Sequence, residues 1–487
     1  MGFTVLDYWV LIIYLVLSIV VGTLLGRGQK SLEDYFLAGK NMPWWAISLS
    51  IVSTETSTLT FIGAPAIAYA GNLTFLQVVI GYFFGRILVS IFLLPGFFCG
   101  NLQTAYEILN MRFGATIRNF SAFIFQVTRA LSDGVRLFAT ALVLSVVTDI
   151  SDVWTVLLIG IATITYTFYG GMRAVIWNDV AQLLIYTSGA LLAFFVAIQA
   201  VPGSWSEIIN IASVAGKFNF LDFTVNLHVA YTFWAGLVGG AFLTFATHGT
   251  DQMMVQRYLA CGNVRHSQVA LIMSGVLVFL QFLIFLFIGV VLFSFYQYFP
   301  LAQEPEHADS IFPIFIVDQF PSGIAGLIIA AIFAAAMSTL SSSLNSLSSS
   351  SVNDFYKIYV VSNASNSHYL KVSRIATILW GVLLMLISML ARNWGELLQA
   401  GLTITSLTMG SVLGVFLLGI WTVHTSQKAA LAGMCSGLLL TIGVHFSGAV
   451  AWTWYVLIGT MTTFLIGVLC SSYTEKTKSN HINTECI

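Results

Sequence analysis

Residues 331–351 read AIFAAAMSTLSSSLNSLSSSS, a polar run where a membrane helix would be apolar. An apolar run beginning at Ile324 leads into it, so a continuous helix carries Ser338, Thr339, Ser341, Ser342, Asn345 and Ser349 into the bilayer. Helical spacing puts Ser338, Ser341, Ser342 and Asn345 on one face, with Thr339 about 100° round and Ala335 a turn above Ser338. Two readings are open here. Small residues and hydroxyls let membrane helices approach closely and hydrogen-bond across the contact, or the oxygens face a polar ligand. Charged partners elsewhere in the chain must decide.

The chain has 487 residues, 58% hydrophobic and 8% charged, with 38 Phe. Several apolar runs of about 20 residues are long enough to cross a hydrocarbon core of roughly 30 Å. The expectation is an all-α polytopic membrane protein, residues 1–487 forming a single membrane domain, because no composition shift separates a soluble part. A net charge of −1 says nothing about partners, and neither a nucleic-acid partner nor an obligatory protein partner is expected. Cysteines at 99, 261, 435, 470 and 486 lack CxxC spacing, so neither a structural disulfide nor a metal centre is expected. The first apolar run, 9–25, lacks a basic leader and a cleavage site and reads as a retained span. No GxxxxGK[ST] loop occurs, which leaves an ion gradient as the energy source.

Thirteen spans are predicted: 5–27, 43–70, 74–98, 118–147, 152–171, 177–200, 231–259, 267–297, 323–355, 372–391, 395–422, 428–447 and 450–472. Arg27, Lys30, Lys40, Arg112, Arg118, Arg173, Arg265, Lys357, Lys371, Arg374 and Lys428 fall on one side, against Lys217 and Arg392 on the other. The positive-inside rule then puts the N-terminus outside and the C-terminus in the cytoplasm of a cell (inner or plasma) membrane. Three arginines, Arg86, Arg129 and Arg136, are read as lying within spans.

The second span, in MPWWAISLSIVSTETSTLTFIGAPAIAYAGN (42–72), turns polar at residues 53–60 and then carries Gly63 and Pro65. The seventh does the same at 247–252, with Thr247, His248, Gly249, Thr250, Asp251 and Gln252. Both are expected to unwind. Discontinuous helices at matching positions of two inverted halves expose carbonyls and helix ends that hold ions and solute. Tolerated kinks would need neither Glu55 nor Asp251, each costing about 2.5 to 3.5 kcal/mol to insert at a helix centre.

SLEDYFLAGK (31–40), TAYEILNMRFG (104–114), YGGMRAVIWNDVAQ (169–182), GTDQMMVQRYLA (249–260) and AAAMSTLSS (334–342) together resemble the sodium/solute symporter family. Its members carry proline, sialic acid, sugars, iodide and monocarboxylates. The resemblance implies a LeuT-type core of two inverted five-helix repeats, residues 43–200 and 231–422, flanked by peripheral segments 1–42 and 423–487. It also implies a sodium ion held by Ser53 and Thr56 of the second span, through carbonyls, and by Ala335, Ser338 and Thr339 of the ninth. Five neutral oxygens suit a hard monovalent cation, whereas calcium and magnesium recruit carboxylates. Some members build a second sodium site, which would here be Asp179, Ser338, Ser341 and Ser342; alternatively Asp179 only faces the cytoplasmic interface.

The fourth span, QVTRALSDGVRLFATALVL (126–144), sets Arg129, Asp133 and Arg136 on one face. They form either a self-satisfied triad or a site whose surplus guanidinium, Arg136, receives a solute carboxylate. Glu55, Thr60, Asp133, Arg136, Asp251 and Gln252 are the candidate solute-binding residues. Glu55 and Asp133 against Arg129 and Arg136 give a neutral cavity, which fits a zwitterion or polyol too; Arg86 and Asp251 can change that balance. His248 reads as a hydrogen-bonding helix residue or a proton relay. The leading expectation is a sodium-driven symporter importing a small polar organic anion with two sodium ions. Its alternatives are sodium symport of a neutral sugar or polyol, and a proton-coupled carrier using Glu55 or Asp179. An enzyme is not expected, because the eight His are scattered and no catalytic cluster forms.

Overall fold

The computed structural model describes residues 3–26, 28–100, 102–301, 308–391 and 397–473. Arg27 and Arg392 of the charge pattern, the first two residues of the span at 395–422, and the tail from 474 on lie outside the described residues. Among those described, every regular element is helical and ten helices are long and apolar enough to cross a membrane. The principal helices are α1 (Val5–Leu25), α2 (Trp44–Glu55), α3 (Thr58–Ala70), α4 (Leu76–Phe97), α5 (Ala115–Thr148), α6 (Asp152–Ala200) and α7 (Gly240–Gly249). They continue with α8 (Gln252–Ala260), α9 (Val264–Tyr298), α10 (Ile324–Ser350), α11 (Asn366–Leu390), α12 (Leu397–Trp421), α13 (Gln427–Ser447) and α14 (Tyr455–Tyr473).

The serine-rich helix α10 is the axis of the molecule. Its residues 328–350 are all buried, and it packs against α1, α2, α5, α6, α8 and α11. Part of its polarity is helix glue: Ser348 donates to the Ser373 carbonyl of α11 at 2.8 Å, and the Met337 carbonyl accepts from Tyr166 of α6 at 3.0 Å. Other hydroxyls turn back on their own helix, as Ser346 does to the Ser343 carbonyl. Large apolar side chains are exposed on the outer helices, among them Trp9, Ile13 and Val16 on α1.

Both helix breaks occur where the Ser/Thr-rich sequence places them. Thr56 leaves helical geometry at ψ 82°, Ser57 is extended, and α3 restarts at Thr58. The Ser57 N–H bonds to the Glu55 carbonyl, so the Ser53 carbonyl loses its usual partner four residues on. In the second break Asp251 is extended and its carboxylate accepts the Met253 N–H at 2.8 Å, starting α8 as an N-cap. Helix α6 changes course at Gly171, whose φ of 53° suits glycine and whose missing Cβ leaves room for the Tyr35 carbonyl. The predicted spans 152–171 and 177–200 are thus the two limbs of one kinked helix. At its far end α3 is capped by Lys217, whose ammonium donates to the carbonyls of Tyr69 (2.6 Å) and Gly71 (2.8 Å) and lies over the Phe293 ring.

Candidate ion and solute site

Helices α2 and α10 meet along a seam of oxygens. The hydroxyls of Ser53 and Ser338 are 2.9 Å apart, and Thr339 Oγ1 donates to the Thr54 carbonyl at 3.1 Å and the Ala335 carbonyl at 3.4 Å. Ser53, Ala335, Ser338 and Thr339 are therefore brought together, all buried and all neutral, a donor set that fits a monovalent hard cation. The Thr56 side chain is not in this group. Its hydroxyl donates to Gln281 of α9 at 2.6 Å.

Asp179 is fully buried in the second limb of α6. Its carboxylate accepts from Ser50 at 2.6 Å, Thr54 at 3.2 Å and Ser338 at 2.7 Å. Ser342 joins through Thr54 at 3.0 Å, whereas Ser341 does not reach the carboxylate and donates instead to the Ser338 carbonyl at 3.0 Å. Ser338 is thus common to both oxygen clusters. A fourth arginine completes the second cluster. Arg257 of α8, not among the three arginines read from sequence as lying within spans, is 1% exposed and its Nη2 stands 3.0 Å from Asp179 Oδ2. The same nitrogen donates to Thr54 at 2.6 Å and to Ser342, while Nε reaches Ser50 at 2.9 Å.

Beside the first break lies a cavity of about 110 Å³. Glu55, Thr60, Tyr82, Arg129, Arg136 and His248 supply polar groups to its wall. Glu55 is ion-paired with Arg86, and His248 Nε2 lies 3.4 Å from the same carboxylate. Arg129 is held by Asp251 and, at 3.5 Å, by Asp133, which also stands 3.4 Å from Arg136 and accepts the Ser343 hydroxyl. Arg136 is the most open of these guanidiniums, 20% exposed against 6% for Arg129 and none for Arg86. A smaller space of about 20 Å³ joins Arg136 and Asp133 to Thr339, so the arginine and the first oxygen cluster share a wall.

Three candidate solute residues, Asp133, Asp251 and Gln252, are not on the cavity wall. Asp251 is fully buried by its bonds to Arg129 and Met253. Gln252 is turned the other way, accepting the Ala105 N–H at 2.7 Å and donating to the Gln103 carbonyl at 3.1 Å. Asp133 lines the smaller space and acts on the large one only through Arg129 and Arg136.

Residues 35–437 match the family described as the sodium:solute symporter family. The chain belongs to that family. It is 32% identical to the sodium/sialic acid symporter NanT of Aliivibrio fischeri (99% of this chain, 95% of that one). It is also 32% identical to the sodium/sialic acid symporter SiaT of Proteus mirabilis (96% and 95%). The human sodium/iodide cotransporter is 30% identical over 90% of this chain and 69% of its own. A solved Na+-coupled sialic acid symporter, substrate-bound and outward-open with a novel Na+ site, superposes with a TM-score of 0.90 at 31% identity, covering 98% of this chain and all of that one. The nucleobase-cation-symport-1 transporter Mhp1 shares the fold at a TM-score of 0.56 and 12% identity, over 92% of this chain and 96% of its own. The protein is accordingly a multi-pass membrane transporter that moves a small solute with sodium, and not an enzyme.

Proposed function

We propose that the solute is a small organic acid of the sialic acid, monocarboxylate or amino acid kind, imported with two sodium ions. The observation that carries this reading is Arg136, the most open of the cavity-side guanidiniums, on a wall where Glu55 is already paired with Arg86 and Arg129 with Asp251. Its planar fork matches a carboxylate. Glu55, Thr60 and His248 on the same wall suit hydroxyl or amine groups of the solute. The first sodium sits between Ser53, Thr56, Ala335, Ser338 and Thr339, where carbonyls freed by the break meet two hydroxyls. The second lies at Asp179 with Ser338, Ser342 and, after a rotamer change, Ser341. A proton-coupled route through Glu55 or Asp179 fits less well, since each carboxylate already has a guanidinium partner.

The membrane arrangement is part of the proposal. Counting each broken helix once and α6 twice gives thirteen crossings, with an inverted pair of five-helix repeats at 43–200 and 231–422 inside the peripheral segments 1–42 and 423–487. The lipid-facing apolar surface of α1 suits this placement. So does the separation of Lys30, Lys40, Arg118 and Lys357 from Lys217, which puts the N-terminus outside and the C-terminus in the cytoplasm.

Energetics supports two ions. One sodium descending a tenfold gradient and 100 mV supplies about 1.4 plus 2.3 kcal/mol, enough to concentrate a neutral solute roughly 500-fold. With a monoanion the electrical part cancels and only about tenfold remains. Two sodiums restore it, giving about 5.1 kcal/mol and several thousand-fold. The test is a screen of carboxylates, amino acids and sugars with and without sodium, followed by current and flux measured together in proteoliposomes. Inward positive current with an acid supports the reading. Electroneutral uptake of the acid removes the second sodium, and undiminished uptake of uncharged sugars in Arg136→Ala removes the arginine's role.

A further inference from the structure

Arg257 occupies a place that a free cation would occupy. Its Nη2 carries two protons yet faces three oxygens, those of Thr54, Asp179 and Ser342, and it stands among them as an ion stands among ligands. The guanidinium is anchored on the other side by Nε to Ser50 and by Nη1 to the Met253 carbonyl of its own helix at 2.7 Å. Through these bonds α8, the segment after the second break, is tied to α2 and to α6. Residues 252–260 are buried throughout, so the tie is dry and its electrostatics are strong.

We infer that Arg257 is a tethered counter-cation that holds the Asp179 cluster in the absence of sodium and is displaced when the second sodium enters. This rests on the assignment of Asp179, Ser338 and Ser342 to a sodium site. The physical reason is that the described cluster holds one carboxylate, and one negative charge cannot satisfy two cations a few ångströms apart in a buried site. Sodium arrival therefore requires the guanidinium to withdraw. Withdrawal breaks four side-chain contacts to α2, α6 and α10 at once, which frees α8 to move relative to α2. Occupation of the ion site is in this way read out as release of the second broken helix, and the release is the differential contact a population shift needs. Arg257 acts here as a positioning residue. It touches no solute.

The test compares Arg257→Gln, Arg257→Lys, Asp179→Asn and the double variant Asp179→Asn/Arg257→Gln in full-length protein in lipid nanodiscs. Two readouts are sodium-binding isotherms and hydrogen exchange of residues 252–260 in sodium against potassium. With its competitor gone, Arg257→Gln is expected to bind the second sodium roughly 5- to 150-fold more tightly, the usual span of coupling between sites. Its α8 exchange should be fast in both salts, while the wild type exchanges faster in sodium than in potassium. Arg257→Lys should keep the competition. A merely structural arginine would not make its loss improve sodium binding. The double variant leaves no buried unpaired charge, so it folds even where a single variant does not, and it should bind one sodium with salt-independent α8 exchange. If Asp179→Asn still binds two sodiums, the site assignment fails. If it binds one, but Arg257→Gln or the double variant shows wild-type sodium response in α8, the counter-cation role is overturned and the site stands.

Discussion

Ser338→Ala is the substitution that most directly probes the two proposed ion sites, because one hydroxyl serves both. Ser338 Oγ donates to Asp179 at 2.7 Å and lies 2.9 Å from Ser53 Oγ, whereas Thr339 contacts only the first cluster. A hydrogen bond to a charged group is worth about 1.5–3 kcal/mol and one to a neutral group about 0.5–1.5 kcal/mol. At about 1.4 kcal/mol per tenfold, Ser338→Ala should raise the half-saturating sodium concentration roughly 10- to 150-fold and lower the Hill coefficient towards one. Thr339→Ala should shift it only about 2- to 12-fold and leave the coefficient alone. Initial uptake rates in proteoliposomes against sodium, at constant ionic strength, measure both quantities. A double-mutant cycle with Asp179→Asn adds the coupling, since residues that share a partner are non-additive by about 0.5–3 kcal/mol. The reasoning is refuted if Ser338→Ala behaves like Thr339→Ala, or if its effect adds fully to that of Asp179→Asn.

Arg136→Lys should weaken acid uptake nearly as much as Arg136→Ala, because a point charge cannot reproduce the planar fork; recovery of wild-type KM by lysine would show that charge alone suffices. Glu55→Gln should destabilise the protein by about 3–5 kcal/mol by stranding the fully buried Arg86, while Glu55→Gln with Arg86→Gln costs far less. Thermal unfolding in detergent reads both, and equal losses would sink the pairing. Lys217→Met removes the cap on α3 and should cost about 1–2 kcal/mol, seen as faster hydrogen exchange confined to the end of α3. Sodium should tighten binding of an acid but not of its uncharged amide, by calorimetry at fixed ionic strength; an equal effect on both would exclude an electrostatic link.

Much of this site is legible in the one-dimensional pattern, and its omissions have physical causes. The helix at 324–350 announces itself because an apolar lead-in and hydroxyls at helical spacing leave no alternative to a buried polar face. Both breaks are visible because Ser, Thr, Asn and Asp side chains compete with the backbone for its own hydrogen bonds. Arg257 is harder. Six residues beyond Asp251 it resembles an arginine snorkelling to the interface, yet α8 starts deep in the protein, so those residues advance it only about 9 Å at 1.5 Å each. Asp179 has the same geometry in reverse. It follows a turn that looks interfacial, but eight residues of helix beyond Gly171 carry it about 12 Å inward. Gln252 fails for another reason. At the first turn of a helix after a break, side-chain direction is set by the break's dihedrals, which residue type does not encode.

The charges around the breaks supply a physical reason for coupling the proposed acid to sodium. Arg86, Arg129, Arg136 and Arg257 face Glu55, Asp133, Asp179 and Asp251, so four cations meet four anions and the interior is neutral before any ion arrives. A neutral interior neither attracts nor repels a lone carboxylate strongly. Arg136 shares Asp133 with Arg129, which weakens its pull still further. Each sodium that binds adds an uncompensated positive charge, and the proposed first site includes Thr339, across a space of about 20 Å³ from Arg136. An ion pair about 8 Å apart at an effective dielectric of about 20 gains about 2 kcal/mol, or roughly 30-fold in affinity. Linkage makes the effect mutual, so the acid tightens sodium by the same factor. Sodium therefore creates the positive potential that the acid reads, and neither partner need bind tightly alone. A carrier built this way resists sodium leak without solute and solute loss without sodium, which is what coupling requires.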